Sequence, residues 1–507
     1  MRLRPVWVFR CCGYGLMGAL LARLQAAWEA PLVLTQVPRR SSLRAACPSD
    51  RWQRRDAFFH EARLVLLTTN REEHLLSAGF AAACDPSLSF DGERLLFAAK
   101  QTREGGWRIW EMQLNGQRLR PVSPEGIEGR SPIYVSTLFT LDSPEPWFTT
   151  VFVGRPVAKG GEGGRASLFS LKLDGSELRR LTFNPGHSFD PRQMGDGKVL
   201  YSTEGGVGLR RDALAHVGLF AVHIEGADVE LFGGERGGKC QQMACSTENG
   251  LVVFVEPDEG AADDAGRLAC VEERRPHVTY RRLQNDAAVA FLYPASLKGP
   301  MLLVSRRPSD LSASAGLYSM DLDGGECELV YDNPEFDDLQ ACVIRRRTPP
   351  DGHSTVVSTK AETGVFYGLN CYTSDPAHEL HLPVGSIRRV RVLEGLTQPG
   401  ANDRSADKER RGASVPCRLV GEAPVEADGS FNVEVPADTP LFQTVDEHGL
   451  ALGTCGWVWV KGKETRGCIG CHEDPERIPE KPICARPAPP VQSPHSATGS
   501  TPTGHLP

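Results

Sequence analysis

The stretch Ser167-Leu168-Phe169-Ser170-Leu171-Lys172-Leu173-Asp174-Gly175 decides the fold, because the chain repeats it. The same phrase is Trp107-Arg108-Ile109-Trp110-Glu111-Met112-Gln113-Leu114-Asn115-Gly116 earlier in the chain. It returns as Gly218-Leu219-Phe220-Ala221-Val222-His223-Ile224-Glu225-Gly226 and as Gly316-Leu317-Tyr318-Ser319-Met320-Asp321-Leu322-Asp323-Gly324. Alternation of this kind sets aliphatic and aromatic side chains on one face of a strand. The closing Asn-Gly or Asp-Gly predicts a two-residue hairpin turn in which both central residues take positive φ. The final glycines stand 59, 51 and 98 residues apart, so a degenerate copy is expected in the last interval, near Gly266-Arg267-Leu268-Ala269-Cys270-Val271.

A companion phrase precedes two of the copies by about 20 residues: Asp85-Pro86-Ser87-Leu88-Ser89-Phe90-Asp91-Gly92, and Phe189-Asp190-Pro191 leading to Asp196-Gly197. Two hairpins per period make four strands, and four strands at a period of roughly 40 to 50 residues describe propeller blades. The expectation is a mainly β fold: a six-bladed β-propeller of WD-like repeats, with seven blades as the alternative count. The blades fall at about 60–125, 126–184, 185–235, 236–285, 286–333 and 334–375, within a propeller domain of 60–380. The Asp-Pro and Asp-Gly phrasing resembles the repeats of bacterial periplasmic propellers such as that of the Tol system. The plain reading of these aspartates is that they cap turns and pack blades.

Composition sets the outer bounds. A chain of 507 residues should hold two or three domains, and 24% charged with 40% hydrophobic residues is ordinary for a folded protein. A net charge of −7 argues against nucleic acid as a partner, while 52 glycines and 37 prolines favour turns over helices. The 15 cysteines are spread singly, several in apolar runs, and read mostly as buried thiols with no deducible disulfide framework. Residues 1–30 start with Arg2 and Arg4 and run apolar from Cys11 to Leu21, which predicts a secretory signal peptide rather than a membrane span. An ill-defined extension is the competing reading.

Beyond Gly385 the pattern changes to a second β module, expected over 385–480 and shaped as a small sandwich. Ile387-Arg388-Arg389-Val390-Arg391-Val392-Leu393 is a strand with basic residues on one face, either solvated or turned to haem propionates. Thr397–Ala413 reads as a loop. Val425–Pro436 is a hairpin about Asp428-Gly429. Leu441–Val445 and Trp457–Val460 are further strands, with Trp457 or Trp459 packing either on a porphyrin or in the core. A tail at 483–507, rich in proline, serine and threonine, is expected to be disordered.

The chemistry sits where this module ends. Cys468-Ile469-Gly470-Cys471-His472 has the spacing of c-type haem attachment, two thiols for the vinyl groups and an imidazole for one face of the iron. Half of a zinc site, a thioredoxin-like redox pair and a chance match are the alternatives. Zinc lacks a second ligand pair nearby, and the redox pair lacks its βαβ setting. No methionine follows His472, so the sixth ligand is His448, another histidine, or none.

Together, the repeats, Gly385–Gly395, the hairpin, Trp457-Val458-Trp459-Val460 and Gly467–Asp474 resemble proteins related to the hydrazine synthase alpha subunit. That resemblance covers roughly residues 60–480 and implies a secreted multihaem-type protein whose middle haem is a reaction centre. It also implies that the motif histidine, His472, binds zinc and that a tyrosine one helical turn onward faces the iron. Here Glu473-Asp474-Pro475-Glu476 occupies that neighbourhood, no tyrosine follows the motif, and no second C-x-x-C-H occurs in the chain. The reading is therefore an extracytoplasmic monohaem c-type redox protein with Cys468, Cys471 and His472 holding covalent haem, serving electron transfer or haem-based redox chemistry. Its partner is a redox protein or a small-molecule substrate, with no nucleic acid and no stable membrane span. The competing functions are a haem-dependent oxidoreductase with an open iron site and a propeller scaffold with a vestigial motif.

Overall fold

The computed structural model describes residues 30–39 and 50–468, apart from 141–146, 158–163, 205–216, 233–239, 259–260, 262, 277, 284–285, 323–324, 351, 356, 374–381, 396–416, 440, 447–450 and 455–456. The signal-peptide segment, the tail, Cys471, His472 and His448 lie outside these residues. No described helix is long and apolar enough to cross a membrane.

Most strands fall into six antiparallel four-stranded units. Five are continuous in sequence: Ala82–Leu88 to Arg120–Pro121, Ile127–Thr140 to Arg179–Arg180, Ser188–Gln193 to Glu230–Phe232, Gln242–Ser246 to Arg281–Arg282, and Val289–Ser296 to Cys327–Tyr331. The sixth is composite: Phe336–Val343 pairs with Leu32–Pro38, which pairs in turn with Arg63–Leu67 and Glu73–Leu75. The first strand of each unit touches the first strand of the next, and the sixth touches the first, so the series closes into a β-propeller-like ring. This departs from the limits 60–380 read from the repeats. Residues 32–38 belong to the ring, and 353–368 do not form its sixth unit. His353–Thr355 instead runs parallel to Leu138–Thr140 of the second unit, and Thr363–Gly368 joins the following module.

Two local devices recur around the ring. In the hairpins after the first three phrases the glycine takes positive φ and the residue before it does not, at Gly116 (78°), Gly175 (89°) and Gly226 (91°). Lys172 N donates to Ser176 O at 2.8 Å and Gly175 N to Lys172 O at 2.8 Å, the pattern of a three-residue loop with a glycine bulge. The two-residue turn predicted from Asp-Gly is thereby corrected. Asp174 keeps ordinary φ and uses its carboxylate to accept from Ser176 N at 2.9 Å. The second device was hidden in the sequence. Each innermost strand carries one non-glycine residue at positive φ: Asp85, Ser131, Asp190, Met243, Tyr293 and Gln340. At each of these positions the strand register shifts, so the ring contains six equivalent bulges built from five residue types.

Two of those bulge residues bind neighbouring units together. Asp85 accepts from Arg130 Nε at 2.7 Å, Ser131 N at 2.8 Å and Gln340 Nε2 at 2.6 Å. Burial alone would raise its carboxyl; Arg130 and the other donors override that and hold it at about 2. Asp190 accepts from Arg55 at 2.6 and 2.8 Å. Arg55 lies on the helix Arg51–Phe59, whose Asp50 cap accepts from Gln53 N at 2.9 Å. That helix reaches the first, third, fourth and fifth units of the ring through Arg51 to Glu204, Gln242 and Asp264, Arg55 to Asp190, Asp56 to Lys100 and Trp107, and Phe59 to Tyr293, and it meets the second through Arg130 over Phe59.

The C-terminal module holds two sheets over one core. One is Phe431–Pro436, Thr363–Gly368 and Thr465–Gly467; the other is Cys417–Pro424, Arg389–Gly395, Leu441–Asp446 and Ala451–Thr454. Phe366, Val390, Val392, Phe431, Val433 and Val460 fill the space between them. On the outer face Glu422 pairs with Arg389 and Arg391 at 3.0 Å each. Trp457–Val460 forms only an isolated bridge and not the expected strand.

Candidate functional site

The approach to the C-x-x-C-H motif is held on both sides. Thr465–Gly467 pairs in parallel with Val365–Tyr367, and Cys468 N donates to Tyr367 O at 3.0 Å. Cys468 is the next residue, half-buried against the module core. A Cβ at Gly467 would stand 2.8 Å from the tip of the Tyr367 side chain, so a larger residue there would displace that ring. The tyrosine ring therefore lies along the backbone one residue before the first motif thiol.

Arg466, one residue further back, ties this strand to the third unit of the ring. Its buried guanidinium donates to Asp228 Oδ1 at 2.9 Å. The other oxygen of Asp228 meets Lys198 Nζ at 3.0 Å and His223 Nε2 at 3.3 Å. Asp228 N donates to Glu464 Oε1 at 2.8 Å, and Glu464 Oε2 accepts from Lys461 N at 2.7 Å. The His223 hydrogen bond, with the Arg466 and Lys198 charges, outweighs partial burial and holds the Asp228 carboxyl far below its usual range. Lys198 moves the other way: burial would lower it, but Glu230 and Asp228 raise it. Trp459 completes the junction. It is fully buried, donates to Gly226 O at 2.9 Å and meets Phe183 edge-on at 5.7 Å. Of the two expectations for Trp459, porphyrin or core packing, its burial against the propeller-like ring favours the core.

The same turn brings two imidazoles together. His223 and His353 stack at 3.9 Å, and His353 Nε2 lies 3.0 Å from Glu225 Oε1. Sequence reasoning missed Asp228, Glu464, His223 and His353. One signal was available: the third copy of the phrase has Glu225 where the others have Asn115 or Asp174. Among the described residues no group of three or more His, Cys, Asp or Glu is arranged to hold a metal ion.

The described part of the attachment site suits a covalently tethered macrocycle. A thiol stands at the border of an apolar core on a backbone fixed from both sides, and the second thiol and the imidazole follow three and four residues later.

A β-propeller-like ring followed by a small two-sheet module defines the class. The hydrazine synthase alpha subunit middle domain matches residues 385–473, from the start of the module through the motif histidine. The hydrazine synthase subunit alpha of Kuenenia stuttgartiensis is 24% identical over 546 residues, covering 87% of this chain and 65% of that protein. The chain thus spans just under two thirds of that relative's length. The solved Kuenenia stuttgartiensis hydrazine synthase superposes with a TM-score of 0.72 at 21% identity, over 87% of this chain and 69% of that one. TolB from Acinetobacter baumannii gives a TM-score of 0.43 at 12% identity, over 65% of this chain and 71% of that one. Over most of its length the chain is thus similar to the hydrazine synthase alpha subunit, and residues 385–473 match that subunit's middle domain.

Proposed function

We propose that this protein is an extracytoplasmic c-type haem protein in which one haem is tethered through Cys468 and Cys471, with His472 as the metal ligand. The observation that carries this reading is the double restraint on Thr465–Gly467, which fixes the position of the first motif thiol. A chance C-x-x-C-H has no reason to follow a strand pinned both to its own module and to a neighbouring unit of the ring. When bound, haem supplies a one-electron couple tuned by its axial ligand and surroundings. The chain's own residues set those surroundings. Tyr367 lines the approach to Cys468, Phe366 and Val460 supply the apolar side, and Arg466 holds the strand without facing solvent.

In this reading the six units are the blades of a propeller that serves as a rigid mount, and the module over 385–480 presents the haem. Electron transfer to a protein partner is the leading role. A small-molecule redox reaction at an open iron face is the catalytic alternative. By resemblance to the family, zinc on His472 is the other metal assignment.

The test is expression with haem-maturation machinery, followed by a pyridine-haemochrome spectrum of the purified chain. A covalent c-type band lost in Cys468→Ser plus Cys471→Ser supports the tether; no covalent band rules it out. A six-coordinate low-spin spectrum unmoved by cyanide favours electron transfer, and a ligand-responsive five-coordinate spectrum favours catalysis.

A further inference from the structure

The ring is closed by one strand pair, Leu32–Pro38 against Phe336–Val343. In that seam Gln36 stands opposite Asp338, 302 residues on. Asp338 is fully buried, and two amides reach its carboxyl: Gln36 Nε2 donates to Oδ1 at 2.9 Å and Asn333 N to Oδ2 at 2.8 Å. The same Gln36 Nε2 donates to Glu73 Oε1 at 2.8 Å, so one amide bridges two acids. The cation of the group, Arg63, bonds Gln36 Oε1 at 2.9 Å and Glu73 Oε2 at 3.3 Å and lies 4.0 Å over the Phe336 ring. Asp338 itself forms no ion pair among the described residues.

The two acids differ in what surrounds them. Burial alone would raise the Glu73 carboxyl, but Tyr331, Gln36, Asn333 and Arg63 together hold it low, so it stays ionised. Burial pushes the Asp338 carboxyl up to about 7; the Asn333 and Gln36 amides pull against that rise, and the charges of Asp332 and Glu73 add to it. Asp337, its neighbour in the strand, is also raised by burial, with the Ala315 amide, Arg307 and Arg39 opposing and Asp263 adding. An ionised Asp338 is therefore a buried charge without a cation, facing a second carboxylate across a shared donor. Such a charge costs stability.

We propose that Asp338 and Glu73 make the seam a proton-sensitive clasp, which holds the ring closed while Asp338 is neutral and loosens as that acid ionises. The folded chain keeps a proton on Asp338 that the unfolded chain, with an ordinary aspartate, releases above about pH 4. The stability this group lends the seam is therefore complete below that pH, declines as the pH rises, and is spent once the pH has passed about 7. The strand Leu32–Pro38 stays paired with Arg63–Leu67 on its other edge, so the ring opens along Phe336–Val343. The direction is opposite to that of the Asp228 junction, which acid weakens.

The test is thermal unfolding of the full chain and of Asp338→Asn from about pH 5 to about pH 8. Asparagine keeps an acceptor for Gln36 or Asn333 and cannot ionise. The variant should gain on the parent by about 3 °C or more in Tm across that range. A Tm difference that stays constant with pH overturns the proposal. Infrared spectroscopy of the parent gives a second reading that does not require the variant to fold. A protonated-carboxyl band should fade between about pH 6 and about pH 8, and Glu73→Gln, at a part-exposed position, should move the fading to lower pH. No fading in the parent, or the same fading in Glu73→Gln, overturns the proposal as well. Neither result bears on haem attachment, which is read separately from the haemochrome spectrum.

Discussion

The turns Lys172–Ser176 and His223–Ala227 have one backbone and two environments. In both, the glycine amide donates back at 2.8 Å, to Lys172 O or His223 O, and the glycine φ is 89° or 91°. The first turn is solvated, and Asp174 folds onto Ser176 N to stabilise it locally. The second lies beneath the C-terminal module, with Ile224, Glu225 and Ala227 all buried. Glycine fixes the turn in both. The residue before it answers to whatever covers the turn. Where water covers it, a short carboxylate caps the turn; where the module covers it, a longer one reaches His353 instead.

The contrast predicts that substitutions at the covered turn and its partners cost far more than matching ones at the solvated turn. Trp459→Ala should have the largest effect, a loss of about 3–5 kcal/mol, since it empties a fully buried indole site. Urea denaturation checks it, and a loss below about 1 kcal/mol would mean that the module does not depend on the third unit. Next is Asp228→Ala, which removes the common partner of Arg466, Lys198 and His223. Because that carboxylate is 47% exposed, about 1–2 kcal/mol is expected after solvent screening.

Acid should loosen the same junction. The Asp228 carboxyl titrates lower in the folded chain than in the unfolded one, so its contribution is complete above about pH 4 and fades as the pH falls below that. Limited proteolysis near the junction should accelerate in that window, and Asp228→Asn should flatten the dependence. The smallest effect belongs to Asp174→Ala, about 0.5 kcal/mol or less, because an exposed turn keeps its glycine and loses only two solvent-exposed bonds from Ser176. Equal costs for Asp174→Ala and Glu225→Ala in the same denaturation series would erase the distinction between the two turns.

How legible the molecule was in sequence follows the same division. The repeating hairpins were readable because a strand alternates and a bulge turn needs glycine at one position, as at Gly116 and Gly175. The ring's closure was not, because Leu32–Pro38 pairs with Phe336–Val343 across some 300 residues and nothing local marks the partner. The inner bulges escaped notice because positive φ is taken there by Asp, Ser, Met, Tyr and Gln, enforced by tertiary packing and not by residue type. The helix Arg51–Phe59 carried a readable cap in Asp50, yet it is only nine residues long and mostly polar, so periodicity gave no warning. At the candidate site, spacing alone singled out Cys468 as a candidate. The ion pair and the amide–carboxylate hydrogen bond that hold its strand join residues more than 200 apart, and such pairings leave no mark in a single sequence.

We propose above that the pinned strand Thr465–Gly467 presents a haem-attachment thiol. The haemochrome spectrum of the matured chain, set beside that of Cys468→Ser plus Cys471→Ser, tests it most directly. A covalent c-type band of one haem per chain, absent from the double variant, is the predicted result. No covalent band in the parent chain, or an undiminished band in the variant, would contradict it.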